Sequence, residues 1–251
     1  MDQILKQNQT SWDAIADDWF GTTALPEYGC RMPTETELGL FGNVTGKKLL
    51  DIGCGSGHSL LYHAQHGAGE LWGLDISSRQ LENARRLLYE NGYAARLFCA
   101  PMEENPGLSQ GYFDFVYSIY AIGWTTDLAT TLWHIASYLK PGGTLIFSWD
   151  HPFMHCVAPQ DGQYVLDGGF FDDKPFTFEK GGMPMTLVNR KLSEYINALA
   201  DAGLFVEHMV EETDAETICR PAEFSSGYYA PSKAKLIPLS FVMKARKLTS
   251  N

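Results

Sequence analysis

The sequence predicts an α/β fold, with a mostly parallel sheet of short strands and helices on both faces. Three observations predict it. The apolar run Leu49-Leu50-Asp51-Ile52 stops abruptly at Gly53, Gly55 and Gly57. A buried strand that breaks into a glycine loop and then a helix is a ligand-binding turn. Glycine takes φ > 0 and lets a ligand approach the backbone, and the free N–H groups of the following helix face that ligand. Between residues 48 and 149, short apolar runs then alternate with segments of helical period, the pattern of βαβ units. Finally, a last strand at 237–245 is reached without an intervening helix. That predicts an antiparallel strand at the end of the sheet.

In order along the chain, residues 3–20 suit an amphipathic helix, with Ile4, Trp12, Ile15, Ala16 and Trp19 on one stripe. Trp12, Trp19 and Phe20 read as core packing. Residues 24–29 are a loop carrying Tyr28, and Pro33-Thr34 opens a short helix ending near Gly42. Strands follow at 48–52, 71–76, 95–100, 113–119 and 144–149. Helices lie at 58–66, 78–91 and 127–139, the last stopped by Lys140-Pro141-Gly142-Gly143. Residues 150–188 break the rhythm with many prolines, glycines and aromatics, and a gap of that length is usually a functional insertion. A helix ending at Gly203, a strand at 205–210 and a second irregular loop at 213–236 lead to the last strand. The expected organisation is one domain over 1–251. It has an N-terminal helical segment (1–46), a core (47–150) and insertions at 150–188 and 213–236.

The 251 residues carry a formal net charge of −11, with no run of Lys or Arg. That argues against a nucleic-acid partner. Cys30, Cys54, Cys99, Cys156 and Cys219 are odd in number and scattered, as in a reduced cytoplasmic protein. No apolar stretch is long enough to span a membrane and the N-terminus has no signal-peptide core. His151 and His155 are four apart, but Pro152 and the lack of a third clustered ligand make a metal site an unexpected outcome.

The spacing Asp51-Ile52-Gly53-Cys54-Gly55-Ser56-Gly57 resembles motif I of the class I S-adenosylmethionine-dependent methyltransferases. The dinucleotide fingerprint would need glycine where His58 stands. Asp75, about twenty residues past the glycines, can accept both ribose hydroxyls of a nucleoside. Phe113-Asp114-Phe115-Val116-Tyr117-Ser118 looks like the family's fourth strand. Leu139-Lys140-Pro141-Gly142-Gly143-Thr144 looks like the turn before its fifth. The likeness is to the small-molecule, type 11 (UbiE-like) branch. It implies a Rossmann-like sheet of seven strands, parallel but for one, with S-adenosylmethionine as cofactor. The implied cofactor contacts are Tyr28, Asp51, Gly53, Cys54, Gly55, Gly57, Asp75, Ile76, Gln80, Met102, Glu103 and Ser118. Relatives of this kind use the N-terminal segment as a lid, which would bring Tyr28 and Arg31 to the ligand. One departure is Pro101, where many relatives carry an Asp for the adenine amino group; Glu103 or Glu104 and Met102 are the substitutes.

The expected reaction is in-line methyl transfer to a small molecule. Orientation does most of the work and a base is needed only for a protonated acceptor. Candidate groups follow the fourth and fifth strands, at the carboxyl edge of the sheet. His151 and Tyr120 are the expected catalytic residues, beside Asp150 and His155. Trp124, Trp149 and Phe153 are the expected substrate contacts. Strand four ends in Ser118-Ile119-Tyr120 and so lacks the Asn/Asp-Pro-Pro-Tyr/Phe signature of amino-directed DNA and glutamine methyltransferases. The rival readings are methylation of RNA or protein, and a cofactor-binding protein without transferase activity.

Overall fold

The computed structural model describes residues 3–172 and 174–249. The chain opens with helix α1 (Gln3–Ile15), which buries Leu5, Asn8, Ser11 and Ile15 at helical spacing. It stops at Ile15, short of residue 20, and the chain turns until Gly21 at φ +77°. A short helix α2 (Glu35–Leu38) starts in a capping box between Thr34 and Glu37 and ends at left-handed Gly39.

The alternating segment then runs as β1 (Lys48–Ile52), α3 (His58–Gln65), β2 (Glu70–Asp75), α4 (Ser78–Glu90), β3 (Arg96–Cys99) and β4 (Phe113–Ile119). It continues through a 3-10 turn (Ile122–Trp124), α5 (Leu128–Tyr138) and β5 (Leu139–Asp150). Strand β5 begins earlier than expected. Phe113 pairs with Leu139 and Phe115 with Thr144, so Lys140–Gly143 loops out of the ladder as a bulge. Gly142 takes φ +74° and Lys140 pairs with Asp114 at 2.7 Å.

Residues 150–188 are more regular than the sequence suggested. They hold a 3-10 turn (Pro152–Cys156) and two antiparallel hairpins. The first joins β6 (Val157–Gln160) to β7 (Gln163–Leu166); the second joins β8 (Pro175–Lys180) to β9 (Met183–Val188). Their turns are Asp161-Gly162 and Gly181-Gly182, with φ positive at both residues of each. These are the Asp-Gly and Gly-Gly signals of a tight hairpin turn. Helix α6 (Leu192–Asp201), β10 (Leu204–Val210), the short helices α7 (Ala215–Cys219) and α8 (Pro231–Ala234), and β11 (Ser240–Lys247) complete the chain.

The sheet has seven strands in the order β10-β11-β5-β4-β1-β2-β3. The first five strands of the chain pair in parallel, and β11 is antiparallel to both β5 and β10. The antiparallel strand therefore lies inside the sheet rather than at its end. The reason is its composition: Phe241, Val242, Met243 and Ala245 are all fully buried, a both-faces pattern that suits an interior strand. The edge position falls to β10, which leaves Phe205 61% exposed. Successive strand residues feed opposite faces, so Leu50, Phe113, Ile135 and Phe147 build one core layer and Leu49, Leu60, Leu81 and Ile146 the other. The parallel pairing brings the carboxyl ends of β1, β2, β4 and β5 to one edge.

Helix α1 is stitched to that edge from outside. Asn8 exchanges hydrogen bonds with the backbone of Thr186 on β9, at 2.8 and 2.9 Å. Gln9 donates to the Ile76 carbonyl at 2.9 Å, and the Ser77 hydroxyl donates to Asp13 at 2.7 Å. The helix thus bridges the end of β2 and the second hairpin.

Candidate active site

The glycine loop is pinned by its neighbours. Gly53 and Cys54 both donate to the Leu74 carbonyl, at 2.7 and 3.0 Å. Gly53 sits at φ +75°, and a Cβ there would lie 2.4 Å from the Ala121 methyl. Only glycine satisfies both constraints. Gly55, at φ +49°, donates its amide to Asp75 Oδ2 at 2.8 Å, and Ser77 donates to Oδ1 at 2.8 Å. Ser77 in turn caps α4 by accepting from the Gln80 amide. Burial raises the Asp75 carboxyl to about 6, against the pull of these N–H donors. Asp51 is pushed well above the usual carboxylate range, first by burial and then by the charge of Asp75.

These groups form one end of a cavity of about 710 Å³ at the carboxyl edge of the sheet. Asp51, Gly53, Cys54, Gly55, Asp75, Ile76, Gln80, Met102 and Glu103, each named from the sequence for the cofactor, all line it. Two of them present buried acceptors with no protein donor, Gln80 Oε1 and Glu103 Oε2. Glu103 is oriented through its other oxygen, which accepts from the Thr125 hydroxyl at 2.8 Å and the Thr126 amide at 2.6 Å. Each Asp75 oxygen takes one N–H and keeps a second lone pair. An adenosyl ligand has what this wall lacks: ribose hydroxyls and an exocyclic amine as donors. The residues present fit S-adenosylmethionine.

The other end is aromatic. Tyr120, Trp124 and Trp149 line it, together with Phe176, Phe178, Tyr228 and Tyr229. Trp12 and Trp19 also face the cavity rather than the core. Trp12 meets Trp124 edge-on at 5.2 Å, and Trp124 meets Trp149 at 5.8 Å. Gly123 makes room for this packing, since a Cβ there would lie 1.8 Å from the Trp149 ring.

Asp150, the last residue of β5, is the buried charge of this end. The Tyr120 hydroxyl donates to its Oδ1 and lies 2.8 Å from Ser240 Oγ; Tyr229 donates at 3.1 Å to both carboxylate oxygens. Burial lifts Asp150 to about 6, while the two tyrosine hydrogen bonds oppose the shift. Tyr120 is pushed well above its ordinary value by burial and then by the Asp150 charge, so it stays a neutral donor. Its backbone sits at φ +54°, a conformation costly for a bulky residue. His155 Nε2 lies 3.9 Å from Asp150 Oδ2, and burial, aided by the nearby Lys233, depresses this imidazole to about 4.

Tyr28, Arg31, Gly57, Ser118, His151 and Phe153 lie outside the cavity. Tyr28 is fully buried and donates to Glu35 at 2.5 Å; Glu35 also accepts from the Leu40 and Phe41 amides. Tyr28 thus belongs to the packing of its own loop. Arg31, named with it, also lines no part of the cavity. Gly57 caps α3 at φ +81°, where a Cβ would meet Ala84 at 2.8 Å; it serves helix packing. Ser118 donates across the sheet interior to the Ile52 carbonyl at 2.8 Å. His151 is an N-cap for the 3-10 turn that begins at Pro152. Its Nδ1 accepts from the Phe153 amide and its Nε2 meets Glu211 at 2.7 Å, so both ring nitrogens are engaged outside the cavity. Proline at the next position holds His151 extended, the conformation of a cap. Phe153 packs on Phe170 at 6.4 Å. The residue that β5 delivers to the cavity is therefore Asp150, one position earlier.

Comparison with known proteins agrees with this geometry. The methyltransferase domain family matches residues 50–147. An uncharacterized protein of Haemophilus influenzae is 38% identical over 226 residues, which cover 85% of this chain and 86% of that one. The ubiquinone biosynthesis O-methyltransferase of Thiobacillus denitrificans is 35% identical over 106 residues, 42% of this chain and 45% of that enzyme. The chain thus aligns with less than half the length of that relative. The crystal structure of an S-adenosylmethionine dependent methyltransferase from Mesorhizobium loti superposes with a TM-score of 0.69 at 26% identity, covering 83% of this chain and 94% of that one. The glycine loop braced by Asp75, the seven-stranded order and these likenesses converge: the chain belongs to the class I S-adenosylmethionine-dependent methyltransferases, in their type 11 branch.

Proposed function

We propose that the enzyme methylates a small molecule that enters the aromatic end of the cavity. One observation carries this reading: the wall that fits the cofactor continues, in the same cavity, into an end lined by Trp12, Trp124, Trp149 and Phe178. Such walls enclose one flat molecule on several sides at once. A protein or RNA strand needs an open groove and, for RNA, positive charge. The relative named for ubiquinone biosynthesis offers a precedent for a small acceptor.

The cofactor supplies a methyl group already activated on a sulfonium. The protein holds the acceptor in line and excludes water. Asp51, Gly53, Gly55, Asp75, Ile76, Gln80, Met102 and Glu103 are the proposed cofactor contacts, and Trp124 and Trp149 the proposed acceptor contacts. Asp150 takes the acceptor's proton, with Tyr120 and Tyr229 orienting its carboxylate. The N-terminal segment acts as a lid, because α1 ties the glycine-loop side to the second hairpin and must part from one of them for entry. Among the described residues no helix is long and apolar enough to cross a membrane. The free cysteines suit the reducing cytoplasm proposed for the protein.

The test is incubation with methyl-labelled S-adenosylmethionine and a cell extract separated into small-molecule filtrate, protein and RNA. Label in the filtrate, lost with Asp150→Asn, is the expected result. Label confined to protein or RNA overturns the reading.

A further inference from the structure

We propose that Lys180 anchors a carboxylate on the acceptor, so that the natural substrate is an apolar or aromatic acid. This rests on the small-molecule reading above and narrows it.

Lys180 closes β8, just before the Gly181-Gly182 turn. Its ammonium reaches over three indoles, at 3.7 Å from Trp19, 5.3 Å from Trp12 and 5.9 Å from Trp124. Ring faces attract a cation but leave its N–H groups without a lone pair to meet. An ammonium carries three donors. Among the described residues, none accepts a hydrogen bond from the Lys180 ammonium and none forms an ion pair with it. The contrast with Lys233 is direct: that buried ammonium donates to the Met154 carbonyl at 3.0 Å.

Lys180 is also the one lysine or arginine, among the described residues, that lines the cavity; Asp51, Asp75, Glu103 and Asp150 line it too. Asp150 is close enough to raise the affinity of Lys180 for its proton, against the effect of burial. Yet the two make no direct contact: the Asp150 carboxylate is held by the Tyr120 and Tyr229 hydroxyls, and no hydrogen bond or ion pair joins it to the Lys180 ammonium. A cavity with one free cation and four carboxyl groups suits a ligand with a single negative charge. A phosphate's second charge would have no counter-ion, and an amine would face an ammonium. The body attached to that charge meets Trp124, Trp149 and Phe178 and is therefore apolar or aromatic.

The test is calorimetry in saturating S-adenosylhomocysteine with three probes of one shape: naphthoate, neutral naphthamide and cationic naphthylmethylamine. Wild type is expected to bind naphthoate about tenfold or more tightly than naphthamide, the advantage of a charge-assisted hydrogen bond. Lys180→Met and Lys180→Gln are expected to erase that preference, and Lys180→Arg to keep part of it, all with unchanged affinity for S-adenosylhomocysteine. Two neutral variants guard against one that misfolds. The proposal is overturned by equal or better binding of the amide or amine, by a preference that survives in the neutral variants, or by no binding of any probe. These outcomes leave the labelled-extract assay to judge the small-molecule reading independently. A fall of about tenfold in S-adenosylhomocysteine affinity in the neutral variants assigns Lys180 to the cofactor's own carboxylate, which also overturns the proposal.

Discussion

Gly55 donates its backbone amide to the side chain of Asp75, twenty residues further along the chain, at 2.8 Å. The carboxylate proposed to meet the cofactor's ribose is thus also the brace of the glycine loop. Asp75→Ala removes both functions. It is expected to weaken S-adenosylhomocysteine binding by about 10–100-fold, the range for a hydrogen bond to a charged group. Asp75→Asn keeps one acceptor oxygen and is expected to lose less. Calorimetric Kd values equal to wild type in both variants would count against the assignment.

Asp150 sets a pH signature. Its carboxyl is raised to about 6 by burial, so it is protonated below that pH and ionised above it. Once the labelled acceptor is in hand, kcat/KM is expected to rise with pH through about 6 and level off. Asp150→Asn should lower it by about 10²–10⁴ and flatten the profile. A wild-type profile without an inflection near 6 would remove Asp150 as the proton acceptor. The same shift has a stability sign: the folded state holds its proton more tightly than the unfolded state. The cost of this buried carboxylate is therefore absent below about 3.8 and fully present above about 6.

His63 titrates in the opposite sense. It is fully buried among Phe41, Tyr62 and Tyr117, neither ring nitrogen has a partner, and burial depresses its pKa to about 3. Stability from the neutral ring is present above about 6.5 and is lost as pH falls towards 3. Between pH 6.5 and 5 the loss approaches about 2 kcal/mol at the limiting slope for one proton. Urea unfolding of His63→Leu is expected to lack that acid-side loss. A pH dependence identical to wild type would rule it out.

Gly123 bears on the acceptor end alone. Alanine there drives a methyl into the Trp149 ring, which must rotate. The expected cost is about 1–3 kcal/mol in unfolding free energy, with methyl transfer impaired and S-adenosylhomocysteine binding intact. Transfer at the wild-type rate would show that Trp149 does not shape the acceptor site.

Tyr28→Phe separates loop packing from ligand contact. Removing the hydroxyl strips Glu35 of a buried donor, and a loss of about 1–3 kcal/mol is expected. Cofactor affinity in the folded variant is expected to stay unchanged. A weakened affinity without loss of stability would return Tyr28 to the ligand site.

The strand-loop-helix around Gly53 and Gly55 and the βαβ alternation were legible in the sequence, whereas the bond from the Gly55 amide to Asp75 is a finding of the structure. Those legible features are written in residues close along the chain: glycine where φ is positive and apolar runs of strand length. The same local logic was available for the hairpins, whose Asp161-Gly162 and Gly181-Gly182 turns carry their own signal. Tertiary structure decided the rest. Whether Asp150 or His151 faces the cavity depends on how β5 runs into Pro152, and on Glu211 waiting for the imidazole 60 residues away. Trp12 and Trp19 become cavity wall because Asn8 pairs with Thr186 across 178 residues. Lys180 gains its significance from what surrounds it and what does not. A sequence window records propensity and pattern. Which buried group is left without a partner is settled only when distant segments meet, because burial and hydrogen-bond satisfaction are properties of the assembled interior.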